Sequence, residues 1–219
     1  MDLLEAMKRR HSVRQYQDLP ISPETTAELE REISACNTEG SLHIQLALEE
    51  PEAFRGLLAH YGRFRNVRSY LCLAGPQRPD LEEKLGYYGQ RLVLRAFQLG
   101  LDSCWVALTF RKRKCRCELR PGEKLACVIA LGYGENHGVP HRSKPLEEVC
   151  RWSGEMPDWF RAGVEAALPA PTAVSQQKFL LALEGDRVRA RALKGPYSLI
   201  DMGIVKYQFE LGAGRKPWI

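Results

Sequence analysis

The stretch Arg9-Arg10-His11-Ser12-Val13-Arg14-Gln15-Tyr16 places three arginines and a serine hydroxyl close together near the start of the chain. Before it, Asp2 and Glu5 have the spacing of a capping box, which predicts a short first helix that ends at this stretch. Arginine binds phosphate through paired hydrogen bonds, and serine adds a neutral donor. The stretch therefore predicts a site for an anionic ligand, with a solvated basic helix end as the alternative.

The composition indicates a globular protein. Of the 219 residues, 44% are hydrophobic and 9% are aromatic, and the formal net charge is +5. This modest positive charge is compatible with an anionic cofactor and also with nucleic acid. No apolar run approaches the roughly 20 residues that cross a bilayer, and the first residues lack a signal-peptide core. We therefore expect no membrane association and a cytoplasmic location.

The chain has seven cysteines. An odd number without a secretory signal indicates reduced thiols rather than a disulfide framework. Cys115 and Cys117 are the only close pair, and no second pair with zinc spacing follows, so we expect no bound metal. No cysteine has an obvious histidine partner that would mark it as a nucleophile.

The hydrophobic pattern predicts both helices and strands. Helical spacing over residues 79–99 predicts the longest helix, in which Gly86 and Gly89 indicate the close crossing of another backbone. An almost continuous apolar run over residues 125–131 predicts a central strand covered on both faces. Further strands are expected at residues 42–48, 69–74, 179–183 and 188–193, and further helices from Ser22-Pro23, Pro157 and Pro196.

Two parts of the chain are similar to each other. Residues 35–49 align without a gap with residues 170–184, and both segments end in Leu-Ala-Leu-Glu. Phe-Gln-Leu-Gly at residues 97–100 is similar to Phe-Glu-Leu-Gly at residues 209–212. Because a loop, a strand and a long helix follow one another in the same order in both places, we predict an internal duplication.

Two further segments extend the pattern set by the opening stretch. Gly100-Leu101-Asp102-Ser103-Cys104-Trp105-Val106 follows the long predicted helix, and His141-Arg142-Ser143-Lys144 follows the central strand and Gly132-Tyr133-Gly134. Together with the opening stretch, these segments resemble the nitroreductase family of FMN-dependent oxidoreductases. The resemblance covers nearly the whole chain. It implies an α+β fold with central, mainly antiparallel sheets flanked by helices.

A fourth segment, Ala170-Pro171-Thr172-Ala173-Val174-Ser175-Gln176-Gln177-Lys178-Phe179, resembles the family motif Ala-Pro-Ser-x-x-Asn-x-Gln-Pro-Trp beneath the flavin ring. In ordinary members this motif lies soon after the N-terminal cluster, and two subunits share the flavin site. The late position of the motif resembles its position in a fused branch of the family, in which one chain supplies both sides of the flavin site. This implies one flavin site per chain, built from two intertwined halves of about residues 1–155 and 156–219, in a monomer or a homodimer.

The resemblance also implies a role for individual residues. The FMN phosphate and ribityl chain would be bound by Arg10, Ser12, Arg14, Arg142 and Lys144, with His11 as a further ligand. The flavin ring would be lined by Pro171, Thr172, Ala173, Ser175 and Gln177, with Trp105, Val106, Ala107 and Leu108 against its far side. For Trp105 a core position is the alternative, and for Cys104 beside the ring a buried, inert thiol is the favoured interpretation. No catalytic acid or base can be named.

The function implied by the resemblance is hydride transfer from NADH or NADPH to FMN and then to a nitro compound, a quinone or a similar small molecule. Ser175 and Lys178-Phe179 depart from the family motif, in which Asn and Pro-Trp stand at these positions. An FMN-binding carrier or sensor without turnover is one alternative. A nucleic-acid-binding protein that uses Arg111-Lys112-Arg113-Lys114-Cys115-Arg116 is another, but no aromatic residue interleaves these charges, so a solvated loop is favoured and no nucleic-acid partner is expected.

Overall fold

The computed structural model describes residues 1–219, apart from the side chain of Leu58. The chain divides into two compact units, each with its own sheet. The four-stranded unit comprises Arg10–Leu81 and Leu92–Val139, and the three-stranded unit comprises Met1–Arg9, Glu82–Arg91 and Pro140–Ile219.

The helices and strands follow one another along the chain as an α+β arrangement, which confirms the predicted fold class. The helices are α1 Leu3–Arg9, α2 Pro23–Gly40, α3 Leu57–Tyr61, α4 Leu81–Gln98, α5 Leu146–Val149, α6 Asp158–Ala167 and α7 Ser198–Ala213. The strands are β1 Gln45–Ala47, β2 Ser69–Pro76, β3 Asp102–Val106, β4 Glu123–Gly132, β5 Cys150–Arg151, β6 Phe179–Glu184 and β7 Arg187–Ala192. None of the helices, as far as the chain is described, has the length and apolar composition of a membrane span.

The sheet of the four-stranded unit has the order β1-β2-β4-β3, and all its pairs are antiparallel. The internal position of β4 confirms the central strand predicted from the apolar run. Cys104 of β3 pairs with Ala130 of β4. One face of the sheet packs into a buried cluster that includes Tyr16, Phe54 and Tyr70. This register fixes where β3 begins, and hence where its first side chains lie.

The predicted helix starts are confirmed by local hydrogen bonds. The Glu5 amide donates to Asp2 Oδ1 at 2.8 Å, as the capping-box spacing requires. The Thr25 amide donates to Ser22 Oγ at 3.2 Å, which caps α2 one residue before its proline. The first helix therefore ends at Arg9, immediately before the basic stretch.

The strand expected at residues 42–48 is shorter in the structure, because β1 covers only Gln45–Ala47. The side chain of Asn37 accounts for the difference. Its Oδ1 accepts from the Ile44 amide at 2.7 Å, and its Nδ2 donates to the Ile44 carbonyl at 2.8 Å. These bonds use both backbone groups of Ile44, so regular pairing starts one residue later.

The three-stranded unit has the sheet order β5-β6-β7, in which β5 and β6 are parallel and β6 and β7 form the predicted antiparallel hairpin. Its helices approach closely at glycines. A Cβ on Gly86 of α4 would lie 2.0 Å from the Ile200 carbonyl oxygen, and one on Gly203 of α7 would lie 1.9 Å from the Glu83 carbonyl oxygen. The close crossing predicted at Gly86 is therefore confirmed.

The internal duplication is not confirmed. Residues 35–40 form the last turns of α2, whereas the matching residues 170–175 form an irregular segment with a short 3₁₀ turn at Ala173–Ser175. Only the ends of the two aligned segments share a conformation, as β1 and β6. The division into halves at about residue 155 stays a prediction.

Candidate functional site

The basic stretch after α1 runs alongside β3 in the four-stranded unit. The Val13 amide donates to the Ser103 carbonyl at 3.0 Å, and Ser12 forms a parallel bridge with Ser103. Val13 and Tyr16 are buried, and the Tyr16 hydroxyl donates to the Val13 carbonyl at 2.6 Å. The two apolar anchors hold the stretch in place, so that the polar residues between them stay at fixed positions.

The loop after β4 lies on the same stretch. The Glu135 amide donates to the Gln15 carbonyl at 2.9 Å. Gly138 has φ +66°, and a Cβ there would lie 2.8 Å from the Ser12 carbonyl oxygen and 2.9 Å from His11 Cβ. Glycine is therefore required at residue 138 for both its conformation and its close approach to residues 11 and 12.

Arg10 is the most unusual residue of this region because its side chain is buried. The residue is only 4% exposed, and its Nε has no hydrogen-bond partner among the described residues. Burial lowers the pKa of Arg10 to about 10, and the nearby Cys104 and Asp102 oppose that shift. A buried donor without an acceptor is costly. An anionic or carbonyl oxygen of a ligand would satisfy it.

Asp102, the first residue of β3, is a buried acid whose charge opposes the effect of burial on the pKa of Arg10. Its Oδ2 accepts from the Gly134 amide at 3.2 Å and lies 3.8 Å from His137 Nδ1. Its Oδ1 is buried without a partner in the described part of the chain. Burial raises the pKa of Asp102, and the charge of His137 opposes the shift. Sequence reasoning did not select Asp102 or His137, because neither belongs to a recognisable polar cluster in the sequence.

Three of the predicted ligands, Arg10, Ser12 and Arg14, lie close enough to Cys104 to affect its pKa. Burial raises the pKa of Cys104, while Arg14, Arg10 and a hydrogen bond from Ser12 oppose the shift. The raised pKa means that this cysteine is a thiol at neutral pH, in keeping with the inert role that was favoured. Arg14 is exposed, and Ser12 and His11 are half-buried.

The residues predicted against the far side of a ring end β3 and follow it. Trp105 and Ala107 are half-buried and Leu108 is 71% exposed, whereas Val106 belongs to the hydrophobic cluster of the four-stranded unit. Three of these four residues therefore have side-chain surface available to a ligand.

The remaining predicted residues lie in the three-stranded unit, and Gln177 connects several of them. Its Oε1 accepts from the Lys144 amide at 2.7 Å, and its Nε2 donates to the Leu168 carbonyl at 2.7 Å. Lys144 Nζ donates to the Gln177 carbonyl at 3.1 Å, and the Gln177 amide donates to Thr172 Oγ1 at 3.0 Å. The structure thus brings Lys144, Thr172 and Gln177 together. Arg142, in the same loop as Lys144, is exposed.

The turn at Ala173–Ser175 has a strained backbone. Val174 has φ +46° although it is β-branched and 92% exposed, and Ser175 has φ +54°. Branched residues rarely adopt this conformation, and such strain is concentrated at functional sites. The half-buried Pro171 precedes the turn.

Buried Asp201 of α7 supports this turn. Its Oδ1 accepts from the Ala173 amide at 2.9 Å, and its Oδ2 accepts from Gln176 Nε2 at 2.7 Å. Burial raises the pKa of Asp201 to about 6, and the two hydrogen bonds oppose the shift. Asp201 could not be selected for this role from the sequence, since an acidic residue near the start of a helix is common.

The basic run at residues 111–116 is a separate, exposed loop that contains a 3₁₀ turn at Lys112–Lys114. Arg116 forms an ion pair with Glu50, and Lys112 Nζ donates to the Leu125 carbonyl at 2.8 Å. Within the described residues, no group of three or more His, Cys, Asp and Glu side chains is arranged to hold a metal ion.

Comparisons with known proteins find matches described as nitroreductases. A family model described as "Putative TM nitroreductase" matches residues 2–213. No curated protein matches the chain significantly. A solved structure described as a "putative nitroreductase" from Thermotoga maritima has a TM-score of 0.70 and 19% sequence identity, and the match covers 97% of this chain and 83% of that one.

Two smaller relatives share part of the fold. A "putative nitroreductase in complex with FMN" from Desulfovibrio desulfuricans has a TM-score of 0.53 and 19% identity, and the match covers 68% of this chain and 94% of that one. A "Putative NADH dehydrogenase/NAD(P)H nitroreductase" from Parabacteroides distasonis has a TM-score of 0.52 and 19% identity, with 67% and 95% covered. At these identities the structural matches concern the fold.

Proposed function

The chain belongs to the nitroreductase family of FMN-dependent oxidoreductases, and on that premise we propose that it takes hydride from NADH or NADPH and passes electrons to a nitro compound, a quinone or a similar small molecule. When bound, FMN supplies the chemistry of accepting hydride and releasing electrons. The task of the protein is to bind the cofactor, orient it and leave one face open to substrates.

The observation that supports this proposal best is the buried guanidinium of Arg10 with its unpartnered Nε. A phosphate or flavin oxygen would provide the acceptor that the described residues do not. Arg14 and Ser12, like Arg10, lie close enough to Cys104 to oppose the rise in its pKa, so the three donors are near one another. We assign Arg10, Ser12 and Arg14 to charge-assisted binding of FMN, with Arg142 and Lys144 as further phosphate ligands and His11 as a neighbour.

The flavin ring is assigned to the strained turn and its flanks. Pro171, Thr172, Ala173 and Ser175 are partly or fully exposed and have small side chains, so a flat aromatic ligand can lie on their backbone. Gln177 is buried and its amide is fully engaged, which makes it a support for this surface. Trp105, Ala107 and Leu108 are assigned to the far side of the ring.

No acid or base of the chain is assigned a proton-transfer step. Hydride transfer to and from a flavin depends on placement, and the residues above provide binding and orientation. Because donor and acceptor use the same ring face in turn, steady-state kinetics should be of the ping-pong type, with parallel double-reciprocal lines.

Absorption and stopped-flow measurements test the proposal. Purified protein should be yellow or should bind added FMN, and anaerobic mixing of the FMN-loaded protein with NADH or NADPH should bleach the flavin absorption. Addition of a quinone or nitroaromatic compound should then restore it. A flavin that stays oxidised with both nucleotides would favour the carrier or sensor, and a protein that takes up no FMN would contradict both assignments.

A further inference from the structure

Cys115 of the basic run and Cys117 just after it lie beside a third cysteine, Cys72, and none of the three is assigned to the flavin site. Cys72 of β2 has its Sγ 3.5 Å from Cys115 Sγ. We propose that Cys115 and Cys72 form a thiol pair that reduces small anionic disulfides, in which Cys115 attacks the disulfide and Cys72 completes the exchange.

Burial separates the two roles. Cys72 is fully buried in the sheet, so a disulfide in solvent cannot reach it. Cys115 is half-buried on the irregular loop that follows the 3₁₀ turn at Lys112–Lys114. A disulfide bond requires an S–S distance of about 2.05 Å. The two sulfurs therefore need to approach by only about 1.5 Å, and this movement falls to the loop of Cys115, since Cys72 lies in β2.

The surroundings favour thiolate on the accessible member of the pair. A hydrogen bond from Cys72 lowers the pKa of Cys115, and hydrogen bonding from Tyr70 and the charge of Lys112 act in the same direction, although burial opposes them. The pKa of Cys72 is raised by its hydrogen bonds to Cys115 and Cys117 and by burial. The proton thus stays on Cys72, and the nucleophilic thiolate forms on Cys115, which is half-buried. Hydrogen bonding from Cys72 also lowers the pKa of the half-buried Cys117, so the experiment must tell Cys115 and Cys117 apart.

The charge of the loop that carries Cys115, and the space along that loop, indicate the kind of disulfide. Five of the six residues in the run at 111–116 are cationic, and all five are exposed, which favours an anionic reactant. A cavity of about 400 Å³, lined by residues 45–48, Arg116 and Glu118, lies against the same loop. Glutathione disulfide, with its free carboxylates, has this chemistry and serves as the probe.

The exchange balances in two steps. The Cys115 thiolate attacks one sulfur of the probe, the probe's S–S bond breaks, and one glutathione leaves as a thiolate. Cys72 then attacks Cys115 Sγ, the bond between Cys115 and the second glutathione breaks, and that glutathione leaves as a thiol with the proton of Cys72. Two protein thiols are oxidised to a Cys72–Cys115 disulfide, and one glutathione disulfide is reduced to two thiols.

Thiol counting and peptide mapping test the wild-type protein. After incubation with glutathione disulfide, alkylation and denaturation, the number of free thiols should fall from seven to five. Trypsin cleaves after Arg116 and so separates Cys115 from Cys117. A cross-link between the peptides of Cys72 and Cys115 is expected, whereas seven remaining thiols or a Cys72–Cys117 cross-link would overturn the assignment.

Variants separate the two steps. Cys72→Ser should retain a glutathione adduct on Cys115, Cys115→Ser should form no cross-link, and Cys117→Ser, the matched control, should still form it. If Cys72→Ser does not fold, alkylation of the wild type at early times should trap the same adduct, and an adduct on Cys117 instead would contradict the order.

The role of the basic run has its own measurement. Replacing Arg113 and Lys114 by glutamine should slow the reaction with glutathione disulfide several-fold but leave the reaction with neutral hydroxyethyl disulfide unchanged. Equal slowing with both probes, or no slowing with either, would refute the electrostatic attraction of the reactant.

Discussion

At the scale of single residues, Arg14 gives the most direct test of the proposed FMN site. Its side chain is exposed, and its carbonyl, which accepts from the Arg65 amide at 3.0 Å, is retained in Arg14→Ala. Loss of one charge-assisted hydrogen bond costs about 1.5–3 kcal/mol, so FMN should bind about ten- to a hundredfold more weakly in a fluorescence titration. Arg55→Ala, at an exposed arginine paired with Glu52, should bind normally. Unchanged affinity in Arg14→Ala would place the phosphate elsewhere.

Asp201 predicts a pH dependence of stability. Burial raises the pKa of Asp201 from 3.8 to about 6 in the folded protein, so the folded state binds more protons than the unfolded state between these values. The resulting stabilisation is complete below about pH 4 and is lost as the pH rises towards 6, with a total of at most about 3 kcal/mol.

Urea unfolding of the wild type and of Asp201→Asn checks this sign. The free energy of unfolding of the wild type relative to the variant should increase as the pH falls from 7 to 4.5. Asp186→Asn, at an exposed aspartate, is the matched control. A difference for Asp201→Asn that is independent of pH would show that this carboxyl has an ordinary pKa.

Some residues of the candidate site could be predicted from the sequence, and others could not. Arg10, Ser12 and Arg14 were selected because their types and spacing suit an anion, and the structure places all three near Cys104. Asp102 and Asp201 were missed because their importance comes from burial, which distant parts of the chain create. The burial of Arg10 itself was equally out of reach, since arginine is normally exposed.

At the scale of elements, the crossing of α4 and α7 depends on two glycines. In Gly203→Ala the new methyl group would lie 1.9 Å from the Glu83 carbonyl oxygen, so the helices must separate. We expect a loss of about 3 kcal/mol in the free energy of unfolding, measured by urea titration. Leu199→Ala, at an exposed position of the same helix, should change it by less than about 1 kcal/mol. Equal stability of the two variants would contradict the tight crossing.

The elements themselves were predictable where local chemistry sets them. Asp2 and Ser22 mark helix starts through hydrogen bonds to residues three positions away, and these were recognised from the sequence. The start of β1 was not, because it is set by the side chain of Asn37 on a different element. The strained turn at Ala173–Ser175 also carried no local signal, since valine rarely adopts a positive φ.

At the scale of the whole molecule, we predict that one chain supplies both groups of FMN ligands. Differently tagged Arg14→Ala and Ser175→Trp chains, co-expressed and purified as a mixture, should bind FMN as weakly as each variant alone. Wild-type chains co-expressed with Ser175→Trp should keep one tight site per wild-type chain. Recovery of tight binding in the mixture of the two variants would show that the site is shared between subunits.

The α+β class and the family were within reach of the sequence because four weak motifs occur in a consistent order along the chain. The duplication was a weaker inference from similar letters, and residues 35–40 and 170–175 adopt different conformations. Short apolar matches constrain β-strands well, but they do not determine the loops before them.

The discontinuous make-up of the three-stranded unit has a consequence for biosynthesis. Glu82–Arg91 leaves the ribosome long before α7, yet Gly86 packs on the Ile200 carbonyl and Gly203 packs on the Glu83 carbonyl. This part of α4 therefore lacks its contacts with α7 until residues 200–203 have been synthesised. Folding of that unit cannot be completed before α7 has been synthesised, so a ribosome that stalls before residue 200 leaves a nascent chain in which this part of α4 is exposed to chaperones and proteases.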